Sequence, residues 1–445
     1  MSRHRRLAIV IAAVVGCAFN PAQAQEAAAE SGTPPAAVTF NRDIAPIVFE
    51  HCASCHRPGE SAPFPLLEYT QVRSRARQVA EVTGSGYMPP WLPEAGYADF
   101  RGERRLTEEQ IALIQLWAVT GAAQGDPADL PPRPEWSTGW QLGEPDLVVQ
   151  MTQPYTLPAD AVDVFRNFVI PLTVDTPKWI KTVEVRPGNP RIVHHGVMRI
   201  DRTRSSQLLA DREPEMGFGS MNMGDAVVPD GHSIDWTPGM QPYPGTEGLA
   251  WKLGPGTDAV LQLHMLPTGR PETIQPILGL HYADAEPEKH LFGMMLRARD
   301  IDIPAGEKNY VTTDSYVVPI DIEVLSVYPH AHYLGKRIEA YATLPDGEQV
   351  PLIHIPDWDF RWQDTYVFRE PVRLPKGTLI EALFRFDNSA TNPFNPSSPP
   401  QRVKEGWQTT DEMCLFYFSL VPDDPEQTGA ITRAAFQSFL RPSNP

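Results

Sequence analysis

The sequence predicts a multidomain chain, a small all-α domain followed by two antiparallel β-sandwiches of jelly-roll-like form. Three observations lead there. Residues 38–125 carry apolar positions at helical spacing, with Ile44, Ile47 and Val48 on one face and Ile111, Ile114 and Trp117 on another. From Gly143 onward, short apolar segments alternate with turn residues roughly every eight to twelve positions, the pattern of sandwich strands. The 47 prolines and 31 glycines among 445 residues supply turns for a loop-rich β architecture rather than for a bundle. A net charge of −17 argues against nucleic acid as a partner.

At the N-terminus, Arg3, Arg5 and Arg6 precede the apolar run Leu7 to Val15, which is too short to span a bilayer. Ala22-Gln23-Ala24 follows as a small-residue cleavage site, so residues 1–24 read as a signal peptide. The mature chain is expected in a bacterial periplasm or secreted, with lipidation at Cys17 as a minor alternative. No later segment reads as a transmembrane anchor, and residues 25–37, rich in Ala, Glu and Pro, are expected to be disordered. Beyond Cys17 the cysteines are Cys52, Cys55 and Cys414, too few for a disulfide scaffold, and Cys414 reads as a free packing thiol.

Cys52-Ala53-Ser54-Cys55-His56 is a CxxCH, the motif that attaches haem through two thioethers and offers its histidine to the iron. Half a zinc site is the bland reading, but no second cysteine pair completes one. Met88, in Gly86-Tyr87-Met88-Pro89-Pro90-Trp91, is the candidate second axial ligand. Met/His ligation leaves the iron no open position and suits electron transfer. Thr107 and Gln110 form a capping box that opens a helix to Ala118, and Gly121 closes it. Over residues 38–125 this resembles the cytochrome c fold, which implies covalently bound haem c on Cys52, Cys55, His56 and Met88.

Asp126 to Glu135 is a Pro/Asp linker. A second linker near Pro287 to Ile303 divides the β region into sandwiches over 143–290 and 300–440. Within it, Val327-Tyr328-Pro329-His330-Ala331-His332 reads as a strand, and its two histidines fall on one face, where they can share a metal. His194 and His195 are strand neighbours that face opposite ways, so joint ligation requires a bulge or strand end, which Gly196 eases. His264 lies in Leu261-Gln262-Leu263-His264-Met265, and Met413 in Asp411-Glu412-Met413-Cys414. Imidazole and thioether together favour copper. His51, His281, His290 and His354 lack partners at ligand spacing; so does His232, although its Met- and Gly-rich loop, 216–232, could edge a cleft.

A His-His pair, an LQ-x-H strand, an HxH-x-LGK strand and a terminal DEMC strand, in that order over roughly residues 143–422, resemble the copper type II, ascorbate-dependent monooxygenases, the family of peptidylglycine α-hydroxylating and dopamine β-monooxygenases. The resemblance implies two copper ions. An electron-storing copper would sit on His194, His195 and His264, and the catalytic, oxygen-binding one on His330, His332 and Met413. It also implies O2, a small organic substrate and an external electron donor, either a periplasmic redox protein or an ascorbate-like reductant. Peptide-hydroxylating members hold the substrate carboxylate with an arginine at the position that is Tyr328 here, their asparagine is Leu415, and their tyrosine is kept as Tyr417. The substrate pocket therefore reads as fitted to something less polar, and the expected reaction is hydroxylation of a C–H bond in an apolar or aromatic molecule, with the fused haem c feeding the three-His copper. The alternatives are a periplasmic haem/copper electron-transfer or copper-binding protein without hydroxylase activity, and a haem-tethered binding module with neither copper.

Overall fold

The computed structural model describes residues 37–60, 62–136, 139–161 and 164–427. The expectations for residues 1–24, for Cys17, for the segment up to residue 36 and for residues 428–440 lie outside that range.

The first unit is helical. A π-turn at Phe40–Ile44 runs into Ala45–His51, and helices follow at Tyr69–Arg73, Ala76–Gly84 and Glu108–Val119. Pro46 stands in the first turn of its helix, where a missing N–H leaves no bond unmade. The Thr107 hydroxyl accepts the Gln110 N–H at 3.2 Å and the Gln110 side chain accepts the Thr107 N–H at 2.9 Å, closing the expected capping box. Gly121 takes a left-handed φ of 101° beyond that helix, a conformation cheap for glycine alone. Phe40, Ile44, Val48, Ile114 and Trp117 close into a separate core, where full burial of each large apolar side chain contributes about 1.5–3 kcal/mol. Between Ala76–Gly84 and Glu108–Val119 the chain leaves this core. Residues 91–104, expected within the helical domain, lie along the second sandwich instead: Arg101 N–H donates to Val367 O at 2.8 Å and Arg369 N–H to Asp99 O at 2.9 Å.

All strand pairs in the two β units are antiparallel. In the first unit a five-stranded sheet has the spatial order Phe218–Gly219, Val164–Leu172, Thr257–Met265, Val193–Asp201, Ile234–Trp236. It packs through Phe168, Ile170, Met198, Leu261 and Leu263 against a four-stranded sheet that contributes Ile180, Leu278 and Leu280. The second unit pairs two four-stranded sheets. One has the order Phe292–Leu296, Cys414–Pro422, Ile322–Ala331, Tyr366–Leu374, and the other Tyr310–Val317, Leu379–Phe386, Gly335–Thr343, Gln349–Ile355. Val324, Val327, Ile338, Ala340, Phe384, Phe416 and Phe418 fill the space between them. Strand order is not chain order, and this sets segments some eighty residues apart side by side: Tyr328 opposite Tyr417, His330 opposite Leu415 and Ala331 opposite Cys414.

One expectation needs correction. The stretch 287–303 is not a plain linker, because Phe292–Leu296 is a strand of the second unit, pairing Phe292 with Leu420 and Leu296 with Phe416. Met294 and Leu296 point into the core while Gly293 and the basic residues around them break the apolar pattern. Gly293 is required there, since a side chain would collide with the Tyr417 ring.

Candidate metal centres

Two histidine clusters face each other from the two β units. In the first, Val193–Asp201 pairs with Thr257–Met265 so that Val193 opposes Met265 and His195 opposes His264, with a register shift between. His194 is the extra residue of a bulge, and this brings neighbouring histidines to one place despite the strand period. The ligand atoms of His194, His195 and His264 all lie within 4.8 Å of one another, a geometry able to hold a metal ion. The Nδ1 atoms of His194 and His195 stand 3.1 Å apart, so at most one carries a proton. Burial, with the neighbouring imidazoles His264 and His194, holds His195 far below the usual histidine range and hence in the neutral form that binds metals. Phe165 stacks on the His264 ring with centroids 4.1 Å apart.

The second cluster gathers where two neighbouring strands end and begin. His330 and His332 fall on one face at the end of Ile322–Ala331, their ring centroids 5.1 Å apart, and Met413, 5 % exposed, precedes the neighbouring strand. Gln363 Oε1 lies 2.6 Å from His330 Nδ1, and the Asp411 carbonyl 3.1 Å from His332 Nδ1. Both partners are acceptors, which assigns the proton to Nδ1 and leaves Nε2 for a ligand. Burial, reinforced by His332, lowers His330 to about 3. Glu412 is fully buried and accepts backbone N–H groups from His332 at 2.5 Å, Met413 at 2.8 Å and Leu334 at 2.9 Å, tying the HxH turn to the methionine strand. Burial still lifts its carboxyl to about 8 against the pull of those N–H groups. Glu412 was visible as part of the DEMC motif without a role, and Gln363, in a loop of no pattern, gave no signal in the sequence.

Tyr328, Leu415 and Tyr417 share the His330 face. Both tyrosine hydroxyls are engaged by protein, Tyr328 donating to Gln363 Oε1 at 3.1 Å and Tyr417 to Gly231 O at 3.3 Å. Burial raises both, Tyr417 to about 12.

At the CxxCH, His56 Nδ1 lies 3.0 Å from the Phe64 carbonyl, which leaves Nε2 as the open donor, and burial lowers the ring's affinity for protons. Cys52 and Cys55 are both free thiols, Cys52 pushed up to about 12 by burial. Cys55 Sγ packs against Gly239 of the first β unit, 4.0 Å from its carbonyl oxygen. Arg104 reaches the same carbonyl at 3.4 Å and Asp364 Oδ2 at 2.7 Å, and Asp364 adjoins Gln363. Met88 is half-buried in the turn after Ala76–Gly84, its N–H donating to Val82 O at 3.0 Å, and Tyr87 beside it meets Trp362 edge-on at 5.8 Å.

His51 pairs with the Gln110 amide and His354 with Glu94. His232, whose Nδ1 lies on the Pro229 and Asp230 carbonyls, does line a cavity of about 350 Å³ between the β units, walled by Trp91, Trp236, Tyr243, Trp251, Leu291 and Leu325.

Residues 296–428 match the family model described as copper type II ascorbate-dependent monooxygenase, C-terminal domain. That span includes the second cluster and stops short of the first. Among curated proteins none matches. Solved structures that resemble the chain include the infectious bursal disease virus Gx strain, at 10% identity over 63% of this chain and 73% of that one, with a TM-score of 0.17. The VP2 subviral particle of the same virus gives 10%, 65%, 74% and 0.16. The CBM22-1-CBM22-2 tandem domain of Paenibacillus barcinonensis Xyn10C gives 8%, 60%, 82% and 0.13. Likenesses this weak carry no argument about fold or function. Among the described residues no helix is long and apolar enough to cross a membrane.

Proposed function

We propose that this protein is an exported copper-dependent monooxygenase that hydroxylates a C–H bond of a small apolar or aromatic molecule with O2, with electrons supplied through a haem c on the same chain. The observation that carries the reading is the three-imidazole cluster of His194, His195 and His264 together with the His330–His332 pair, the latter and Met413 within the stretch that matches the family model. The donor chemistry fits copper: His194, His195 and His264 offer three imidazole nitrogens, and His330, His332 and Met413 add a soft sulfur that favours the reduced ion. The CxxCH fits haem, with two free thiols for thioethers and His56 turned by the Phe64 carbonyl so that Nε2 is available; Met88 is the proposed second axial ligand. When bound, copper supplies one-electron storage and oxygen activation, and haem supplies one-electron transfer.

What the chain's own residues do follows from their contacts. Gln363 and the Asp411 carbonyl hold the His330 and His332 tautomers, and Glu412 fixes the turn between HxH and methionine. Tyr328, Leu415 and Tyr417 line the His330 face with apolar bulk, since both hydroxyls are spent on protein partners. The cavity between the β units, about 350 Å³ and lined by Trp91, Trp236, Tyr243 and Trp251 among polar and charged residues, is of a size for a small organic molecule. Two contact routes leave Gly239, against which Cys55 packs. One runs through Arg104 and Asp364 to Gln363 and His330. The other follows the chain back to Trp236, which pairs with Gly196 beside His195.

Metal analysis after copper reconstitution, followed by oxygen uptake with ascorbate over a panel of small aromatic substrates, tests the reading. Substrate-dependent uptake at about two coppers and one iron per chain supports it. Full metal without uptake favours the electron-transfer alternative, and iron alone a haem-bearing binding protein. Replacing Met88 with Ala should abolish turnover driven through the haem and spare turnover with ascorbate; equal loss with both donors would exclude the haem as donor.

A further inference from the structure

The loop between strands Gln349–Ile355 and Tyr366–Leu374 belongs to no sequence motif, yet it touches both histidine clusters and residues that neighbour the CxxCH and Met88. Its Trp362 meets Tyr87, next to Met88. Its Asp364 holds Arg104, which reaches the carbonyl against which Cys55 packs. Its Gln363 holds His330. At its tip is Phe360, 5 % exposed, whose ring enters the space between the two histidine clusters. The Phe360 ring stacks on His194 of the first cluster, with centroids 5.1 Å apart and planes 20° apart. Its other contact is edge-on to His332 of the second cluster, at 5.8 Å and 82°. Tyr333 packs on it at 4.6 Å.

The ring is not free to move aside. The Gln363 amide that orients His330 also donates from Nε2 to the Phe360 carbonyl at 3.0 Å. On the other side, Asp359 accepts the Arg361 N–H at 3.0 Å and its guanidinium, and the Asp359 carbonyl accepts the Trp362 N–H at 3.0 Å. Phe384, a ring of the second unit's core, packs on Phe416 with centroids 5.1 Å apart. Phe360 instead has an imidazole from each cluster on its surface, and its backbone is fixed by the residue that sets one of those clusters.

We propose that Phe360 is a spacer: its ring, held between His194 and His332, sets the distance between the two metal ions. The proposal rests on the reading that both clusters bind copper. A smaller side chain lets the two β units settle and the ions approach, and a larger one drives them apart, so size and separation change together. Phe360 is thus a positioning residue, and its signature is spectroscopic rather than kinetic.

The experiment is electron paramagnetic resonance of the full-length protein with both sites loaded with copper(II), in the wild type and in Phe360→Ala, Phe360→Leu and Phe360→Trp. Copper per chain is measured first. Fewer than two coppers in the wild type overturns the two-copper reading and the spacer with it. With two coppers bound, magnetic coupling between the ions reports their separation through dipolar broadening and the half-field transition. The expected result is a several-fold stronger half-field signal in Phe360→Ala, a smaller rise in Phe360→Leu, and a weaker signal than wild type in Phe360→Trp. The leucine variant, which keeps most of the apolar bulk, serves if the alanine variant fails to fold. Identical coupling across variants that hold two coppers, or changes of one sign for both smaller and larger side chains, would overturn the spacer while leaving the two-copper reading intact.

Discussion

The two histidine clusters hold their ligands by different means. In the second unit each ring has its Nδ1 on an oxygen, Gln363 for His330 and the Asp411 carbonyl for His332, and Glu412 binds the turn between them. In the first unit Phe165 stacks on His264 and Phe360 on His194, and two Nδ1 atoms face each other. Hydrogen bonds fix a tautomer before any ion arrives; stacking fixes a plane and leaves the ion to complete the arrangement. The second site should therefore bind as a preformed set.

Removal of a ligand breaks the comparison most severely. His264→Ala and Met413→Ala should each lower copper from about two to about one per chain, at the first and second site respectively; loss of both ions from either variant, read by metal analysis, would mean the clusters are not separate. Next comes Gln363→Leu, which frees the His330 tautomer. Copper affinity at the second site should fall about 10–100-fold in competition titrations while the first site is unchanged.

The pH dependence of the metal-free protein sharpens the contrast. His330 has a folded value near 3, below the ordinary 6.5, so its contribution is present above 6.5 and lost as pH falls toward 3. Glu412, near 8 against an ordinary 4.5, contributes below 4.5 and loses that contribution as pH rises through 8. The two oppose each other across the acid range. Glu412→Gln removes the second, so its unfolding free energy should fall from pH 7 to pH 4, by about 1–3 kcal/mol relative to wild type. A slope parallel to wild type would show that the Glu412 carboxyl does not titrate as its burial implies. The smallest effect is expected from Phe165→Leu, a change of packing alone, which should cost less than about 1.5 kcal/mol and leave copper stoichiometry unaltered.

What was legible in the sequence is what repeats or is spaced. The strands carrying His194, His264 and His330 were readable from apolar alternation, and the Thr107 helix from its capping box, because both signals are local. The bulge at His194 was inferable from chemistry, since adjacent residues on a regular strand cannot share an ion. Gln363 and Phe360 were not readable. They act through side chains brought to the site by a loop whose course depends on its own Asp359 and on Arg104 of the docked residues 91–104, which is distant in sequence. Phe292–Leu296 was hidden for a related reason, as its glycine makes room for Tyr417, a residue more than a hundred positions away.

The bulge also bears on inheritance. His194 is supernumerary to its ladder, so deleting that single codon would leave a regular strand with the sheet pairing on either side intact. The cluster can thus be lost by one small genetic event without damage to the scaffold. His330 is a rung of its ladder, opposite Leu415, and a deletion there shifts His332, which follows the strand end, off the face they share. Descendants of this chain that abandon metal binding should keep the second cluster's residues longer than the first's.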